Sequence, residues 1–160
     1  MQGEECAMPN AYTQIQIHAV LAVKNRVSLI NEDWRKRLYK YIISIIHSQK
    51  HKTIAIGGTN DHVHILFRLN TTQTVAELMR QIKRGSSEWI NRNNLTTGKF
   101  EWQSGYGAFS YGKSQIPTVA RYIKNQEKHH AKKSFLDEYK KILDNFGIEY
   151  DEQDLFHEIT

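Results

Sequence analysis

The run Asp61-His62-Val63-His64-Ile65-Leu66-Phe67-Arg68-Leu69 decides how the rest of the chain reads. Side chains alternate along a strand, so Val63, Ile65, Phe67 and Leu69 line one face, and His62, His64, Leu66 and Arg68 the other. The first face reads as core. The second sets two imidazoles one pleat apart, where each neutral ring can offer a nitrogen to a single divalent metal ion. Two histidines on a half-exposed strand are the plainer account of the same pattern.

Upstream, Thr53-Ile-Ala-Ile-Gly-Gly58 reads as a short strand and Thr59-Asn60-Asp61 supplies turn residues, so the two runs form a hairpin. Further back, Gln14 to Val23 alternates, with Ile15, Ile17, Ala19, Leu21 and Val23 opposed to Gln14, Gln16 and His18, which predicts another strand with one buried face. Between these strands, Asn31 can cap a helix to about Gln49. Trp34, Leu38, Tyr41, Ile42, Ile45 and Ile46 fall at helical spacing there, and Arg35, Lys36, Arg37 and Lys40 on its solvated side.

Downstream, Thr74-Val-Ala-Glu77 is a capping box that opens a helix with Val75, Leu78, Met79, Ile82, Trp89 and Ile90 on its apolar face. Arg80, Lys83 and Arg84 give that helix a basic flank. The glycine-interrupted aromatic stretch Trp102 to Tyr111 contains a fourth strand. Pro117 suits the first turn of a helix capped by Ser114 or Gln115 and running through Val119, Tyr122, Ile123 and Gln126 to His130. Ser134 opens a last helix to about Phe146, where Gly147 ends it. The order predicts an α+β, ferredoxin-like fold: an antiparallel sheet with helices on one face, then a tyrosine-bearing helix and a further helix.

One hundred and sixty residues suit one domain, 1–160, with an acidic C-terminal tail from about 147. Hydrophobic residues at 39% and charged residues at 24% exclude a disordered or fibrous chain. No apolar run exceeds Ala19 to Val23, against the roughly 20 residues a spanning helix requires. The N-terminus has neither the basic start nor the apolar stretch of a secretory signal. A single cysteine, Cys6, leaves no disulfide framework or cysteine zinc site, so the expectation is a cytoplasmic protein. The net charge of +5 is unevenly spread. Residues 137–160 hold eight acids against Lys140 and Lys141, or −6, which leaves the preceding part at +11. A body that basic attracts polyanions, nucleic acid foremost.

Tyr122 and Gln126 are four residues apart in Tyr122-Ile-Lys-Asn-Gln126, so on a helix the phenol and the amide share a face. A tyrosine hydroxyl can attack phosphorus if a cationic group stabilises its phenolate, since its ordinary pKa is about 10. Packing beside Val119 and Ile123 is the plainer role.

Three motifs in order, His-x-His after a turn ending in Asp61, Trp102-Gln-Ser-Gly-Tyr-Gly-Ala-Phe-Ser110, and Tyr122-Ile-Lys-Asn-Gln-Glu-Lys-His-His130 followed by Ser134-Phe135 and Glu138, resemble the single-tyrosine HUH transposases. That family includes transposases of small insertion sequences and the REP-associated tyrosine transposases, and the likeness runs from about Tyr12 to Leu143. It implies a DNA transposase in which Tyr122 attacks a phosphodiester of single-stranded DNA, leaving a 5'-phosphotyrosine link and a free 3'-hydroxyl. It implies that His62, His64 and Gln126 hold Mg2+ or Mn2+, that no nucleotide cofactor is needed, and that DNA hairpins at element ends are the recognised partner. It further implies a homodimer in which one subunit's tyrosine helix can complete the other's histidine site, with Gly112 to Ile116 as the hinge. The residues themselves agree on energy supply, because no phosphate-binding glycine loop occurs.

Position and charge nominate Lys24, Arg26, Arg80, Lys83 and Arg84 as DNA contacts. His129-His130 could suggest a second metal site, but adjacent side chains diverge by roughly 100° around a helix, which points to surface or DNA-facing residues. His18 reads as packing or as support for the metal site; Asp61 orients a histidine or shapes the turn. The acidic tail can fold onto the basic body or fray. The rival functions are a catalytically inactive or domesticated DNA-hairpin binding protein and an RNA-binding ferredoxin-like module. The latter calls for exposed strand aromatics where this chain has imidazoles.

Overall fold

The protein is described by a computed structural model covering residues 11–130 and 133–156, with the side chain of Arg26 left out. Cys6, Pro9 and Glu158 lie outside the described residues. Four strands, β1 (Gln16–Ala22), β2 (Lys52–Gly58), β3 (His62–Arg68) and β4 (Gly107–Ser110), form one sheet in the order β2-β3-β1-β4. Every neighbouring pair is antiparallel, so the split strand-helix-strand arrangement predicted from element order is the one observed.

Helices α1 (Glu32–Ser48) and α2 (Val75–Arg92) pack on one face. Their stripes, including Trp34, Leu38, Ile42 and Ile46 from α1 and Leu78, Met79, Ile82 and Ile90 from α2, close over Ala19, Leu21, Val63, Ile65 and Phe67. Asn31 caps α1 by accepting from the Asp33 amide at 2.8 Å. At α2 only half of the expected capping box forms. Thr74 accepts from the Glu77 amide, while the Glu77 carboxylate turns to Arg80 and Gln81. An arginine one turn along offers a charge-assisted bond that the backbone amide does not.

The opposite sheet face is also covered. Helices α3 (Ile116–Lys124), α4 (Gln126–His130) and α5 (Phe135–Asn145) lie over Val20, Ala22, Leu66 and Phe109. The single helix expected from Pro117 to His130 breaks at Asn125, whose backbone (φ −100°, ψ 21°) separates α3 from α4. Neither Ser114 nor Gln115 caps it through a side chain, and a short 3-10 turn, Lys113–Gln115, leads in instead. The approach of α3 to β2 is close enough to need glycine: a Cβ on Gly57 would stand 2.2 Å from the Ile123 carbonyl oxygen.

Ser134 caps α5 and Gly147, at φ 66°, follows its end. The described part of the acidic tail is anchored by apolar contact: Leu155 and Phe156 are buried against Phe135, Tyr139 and Leu143. Its charge contributes an exposed pair, Lys140 with Glu152 at 3.1 Å. Among the described residues, no helix is long and apolar enough to cross a membrane.

Candidate functional site

The strand pleat sends His62 and His64 to the sheet face under α3 to α5, and both are fully buried, with 0% exposure. A half-exposed strand is therefore not their setting. Burying an imidazole requires partners for both nitrogens, and each ring has two. His62 Nδ1 lies 2.7 Å from Asp61 Oδ1, and its Nε2 2.8 Å from Gln126 Oε1. His64 Nδ1 lies 2.7 Å from His18 Nε2, and its Nε2 3.1 Å from Glu138 Oε1. The plain-packing reading of His18 gives way to a supporting one. It sits across from Leu66, diagonal to His64 on the neighbouring strand, which brings the two rings together. Asp61 likewise orients a histidine, and Thr59 holds it by donating at 3.0 Å.

Glu138, from α5, is the hub. Only 3% exposed, it accepts from Tyr122 Oη and, at 3.2 Å, from Gln126 Nε2, both through Oε2. His130 Nε2 reaches its other oxygen at 3.1 Å. His129 Nε2 is 3.3 Å from Oε2 but makes no hydrogen bond. The surface reading of His129 and His130 is thus corrected. Both rings stand at the end of α4, where Glu138 of α5 lies within reach of each. The shared-face reading of Tyr122 and Gln126 holds, since both reach Glu138.

The electrostatics follow from burial around one charge. Burial opposes ionisation of Glu138, but hydrogen bonds from His130 and His64, the charge of His64 and the Tyr122 hydroxyl together hold its carboxyl well below the usual range. Burial, then the charge of Glu138 and the hydrogen bond to it, pushes the Tyr122 hydroxyl well above an ordinary phenol. Burial lowers His64 to about 4 despite its bond to Glu138, and burial with the charge of His64 lowers His18. His130 is raised, because its contacts with Glu138 outweigh burial.

The donor chemistry fits a divalent cation. Asp61 only accepts when ionised, so it fixes the His62 proton on Nδ1 and leaves Nε2 as a lone pair. Gln126 is oriented with its amide NH2 toward Glu138, which aims its carbonyl oxygen at that nitrogen. Two acceptors then face each other across 2.8 Å, a contact that a shared cation or a second ring proton satisfies. His62, His64 and Glu138 offer ligand atoms all within 4.8 Å of one another. Histidine nitrogen with carboxylate and amide oxygen is a set that Mn2+ accepts readily and Mg2+ accepts when water completes its shell.

Two hollows flank the site. One of about 530 Å³ is lined by Arg35, Asn60, Asp61, His130 and Lys133 among others. The second, about 310 Å³, reaches Tyr122 and Glu138 beside Tyr111, Thr118, Lys133, Lys141 and Asn145. The basic residues nominated from sequence are elsewhere. Arg80 pairs with Glu77, Arg84 lies 3.4 Å from Glu88, and Lys24 lies 3.7 Å from Glu101. Lys83 donates to the carbonyls of Gln103 and Gly105 at 2.9 and 2.8 Å. Arg80, Lys83 and Arg84 line a separate groove by Trp102 and Tyr106, and the Arg26 side chain lies outside what is described.

Sequence reasoning missed Glu138 as a site residue, although it stands in the motif Ser134-Phe135…Glu138. Its role depends on how α5 docks, and no periodicity carries that.

The model of the IS200-like transposase family matches residues 11–126. No curated protein matches the chain. Among solved structures, a candidate transposase from Deinococcus radiodurans R1 is similar with a TM-score of 0.59 at 16% identity, over 75% of this chain and 96% of that one. A REP-associated tyrosine transposase bound to a REP hairpin is similar with a TM-score of 0.54 at 15% identity, over 73% of this chain and 69% of that one. At such identities the likeness is one of fold.

Proposed function

The chain belongs to the IS200-like transposase family, and on that premise we propose that it cleaves and rejoins single-stranded DNA through Tyr122 in a divalent-metal-dependent reaction. The whole chain acts as one transposase domain. The observation that carries the reading is the convergence of the Tyr122 hydroxyl, His64 and Gln126 on the single buried carboxylate of Glu138.

Tyr122 Oη attacks the scissile phosphorus and forms a P–O bond to the enzyme, while the bond to the 3'-oxygen breaks and that oxygen leaves as a 3'-hydroxyl. The phenol proton departs along its hydrogen bond to Glu138, and the leaving oxygen gains one in turn. Rejoining is the same exchange in reverse, so the phosphotyrosine conserves the bond and no nucleotide cofactor is consumed. His62, His64 and Gln126 would hold Mg2+ or Mn2+, with Glu138 beside them, and the cation would supply polarisation of the phosphate and a positive charge to offset the negative one that disfavours a phenolate beside Glu138. Asp61 keeps the His62 ring in the tautomer that presents Nε2, and His18 holds the His64 ring in place through its Nδ1.

The partner is single-stranded DNA carrying a hairpin, a reading supported by the hairpin-bound structural relative. Lys133 and Lys141, beside the Tyr122 hollow, suit phosphate contacts. Lys24, Arg80, Lys83 and Arg84 serve as more distant contacts, and Arg26 is a further contact nominated by its charge in the sequence. The working form is a homodimer. In the arrangement observed, Tyr122 meets the histidines of its own chain, and Gly112 to Ile116 is the segment at which the tyrosine helix would change partners.

The test incubates labelled single-stranded hairpins from DNA flanking the gene with protein and Mg2+ or Mn2+, followed by denaturing gels. A metal-dependent, protein-linked DNA band that Tyr122→Phe abolishes is expected. Tight hairpin binding with no covalent product under either metal favours the inactive binder.

A further inference from the structure

Resting on the metal-dependent reading of the His62 and His64 site, we infer that the protein binds a second divalent cation through His129, His130 and Glu138, so that Glu138 bridges two ions.

Four imidazoles surround one carboxylate, but they do not close on a common point. They form two groups, His62, His64 and Glu138, and His129, His130 and Glu138, each with its ligand atoms within 4.8 Å of one another. Glu138 is the one residue the groups share. Its Oε1 lies 3.1 Å from both His64 Nε2 and His130 Nε2, and its Oε2 lies 3.3 Å from His129 Nε2. A carboxylate whose two oxygens meet ring nitrogens of both groups can serve as a bridging ligand.

The hydrogen inventory points the same way. His130 Nδ1 lies 2.6 Å from the Lys133 carbonyl oxygen. A carbonyl can only accept, so Nδ1 carries a proton, and it is the Nε2 proton, donated to Glu138, that an ion at Nε2 would displace. Metal-ligating histidines commonly have the far nitrogen tied to a backbone carbonyl, as here. His129 Nε2 is buried and has no hydrogen-bond partner among the described residues, although it faces the same carboxylate. A buried ring nitrogen left in this way needs explaining, and two imidazole nitrogens with a carboxylate make a transition-metal donor set.

The position has a chemical consequence. Tyr122 donates to Oε2, the oxygen that His129 faces, and the Tyr122 and His129 rings are 5.3 Å apart between centroids. A cation held by His129 and His130 lies on the tyrosine side of Glu138, where positive charge favours loss of the phenol proton. The hollow of about 310 Å³ that reaches Tyr122, His129 and Glu138 gives an ion access from solvent.

The test is Mn2+ binding to the full chain after chelator treatment, with calorimetric stoichiometry and electron paramagnetic resonance of the loaded protein. Two Mn2+ per chain with an exchange-coupled spectrum are expected. The double variant His129→Asn/His130→Asn should bind one ion with an uncoupled spectrum, as should His62→Asn/His64→Asn. A single ion lost only in His62→Asn/His64→Asn overturns the second site and leaves the first. A single ion lost in both double variants means one shared centre and also overturns it. Absence of Mn2+ binding overturns the metal-dependent function itself. Wild-type stoichiometry and coupling decide the question even where a variant fails to fold.

Discussion

The hydroxyl of Tyr122 donates its hydrogen bond to Oε2 of Glu138, sixteen residues away and on a different helix. Nucleophile and carboxylate are thereby locked together beside His64, and the tyrosine rests protonated. The proposed chemistry starts from this restrained state.

Glu138→Gln keeps the side-chain shape but removes the charge on which His64 and His130 converge. Mn2+ affinity, measured by calorimetry, should fall by about 10- to 100-fold. Glu138→Ala should cost more in the metal-free protein, about 3–5 kcal/mol, because it strands buried partners. Denaturant titration of the two variants checks the order. Equal stability for both would contradict the hub role.

His18 touches no proposed substrate; it holds His64 through a 2.7 Å contact to Nδ1. His18→Leu should lower Mn2+ affinity by about tenfold or more. Nitrogen NMR of the wild type should show His64 in a single tautomer, and the variant should lose that uniformity. An unchanged His64 signature in His18→Leu rules the support role out.

Much of this was legible in the sequence and some was not, for identifiable reasons. The strand face carrying His62 and His64 follows from a period of two, and the meeting of Tyr122 with Gln126 from helical spacing. Those relationships lie within one element. Glu138, His18 and the inward turn of His129 and His130 depend on contacts between elements far apart in the chain, which hydrophobic periodicity does not encode. The helix break at Asn125 is a further case, since the run from Pro117 to His130 reads as one helix in sequence. The basic flank of α2 was visible as charge, but its distance from the histidines was not.

Acid should destabilise the metal-free protein. His64 titrates at about 4 in the fold against about 6.5 when unfolded. The unfolded state therefore takes up more protons in that window, so the contribution is complete above pH 6.5 and is lost as pH falls toward 4. For this group alone the loss is roughly 3 kcal/mol. His130, raised by Glu138, runs the other way, and its contribution fades as pH rises above 6.5. Thermal midpoints in chelator at pH 7 and pH 4.5 should differ, with a smaller difference in His64→Asn. Equal differences would contradict the assignment.

Gly57→Ala places a methyl group against the Ile123 carbonyl, under the helix that carries Tyr122. Backbone cannot yield as a side-chain tip does, so the tyrosine helix should shift at a cost of about 1–3 kcal/mol. Hairpin binding should persist while covalent linkage falls at least tenfold. Full cleavage by a folded Gly57→Ala protein would show that the seat on β2 is not needed.

The central claim is that Tyr122 becomes joined to DNA, and peptide mapping by mass spectrometry reads that bond directly. After reaction with a cleavable hairpin and Mn2+, trypsin should cut after Arg121 and Lys124 and release Tyr122-Ile123-Lys124 carrying a 5'-phosphorylated nucleotide fragment. The account predicts that adduct, on Tyr122, and its absence when metal is removed. Cleaved DNA with no adduct, or an adduct on another residue such as Tyr111, would contradict it.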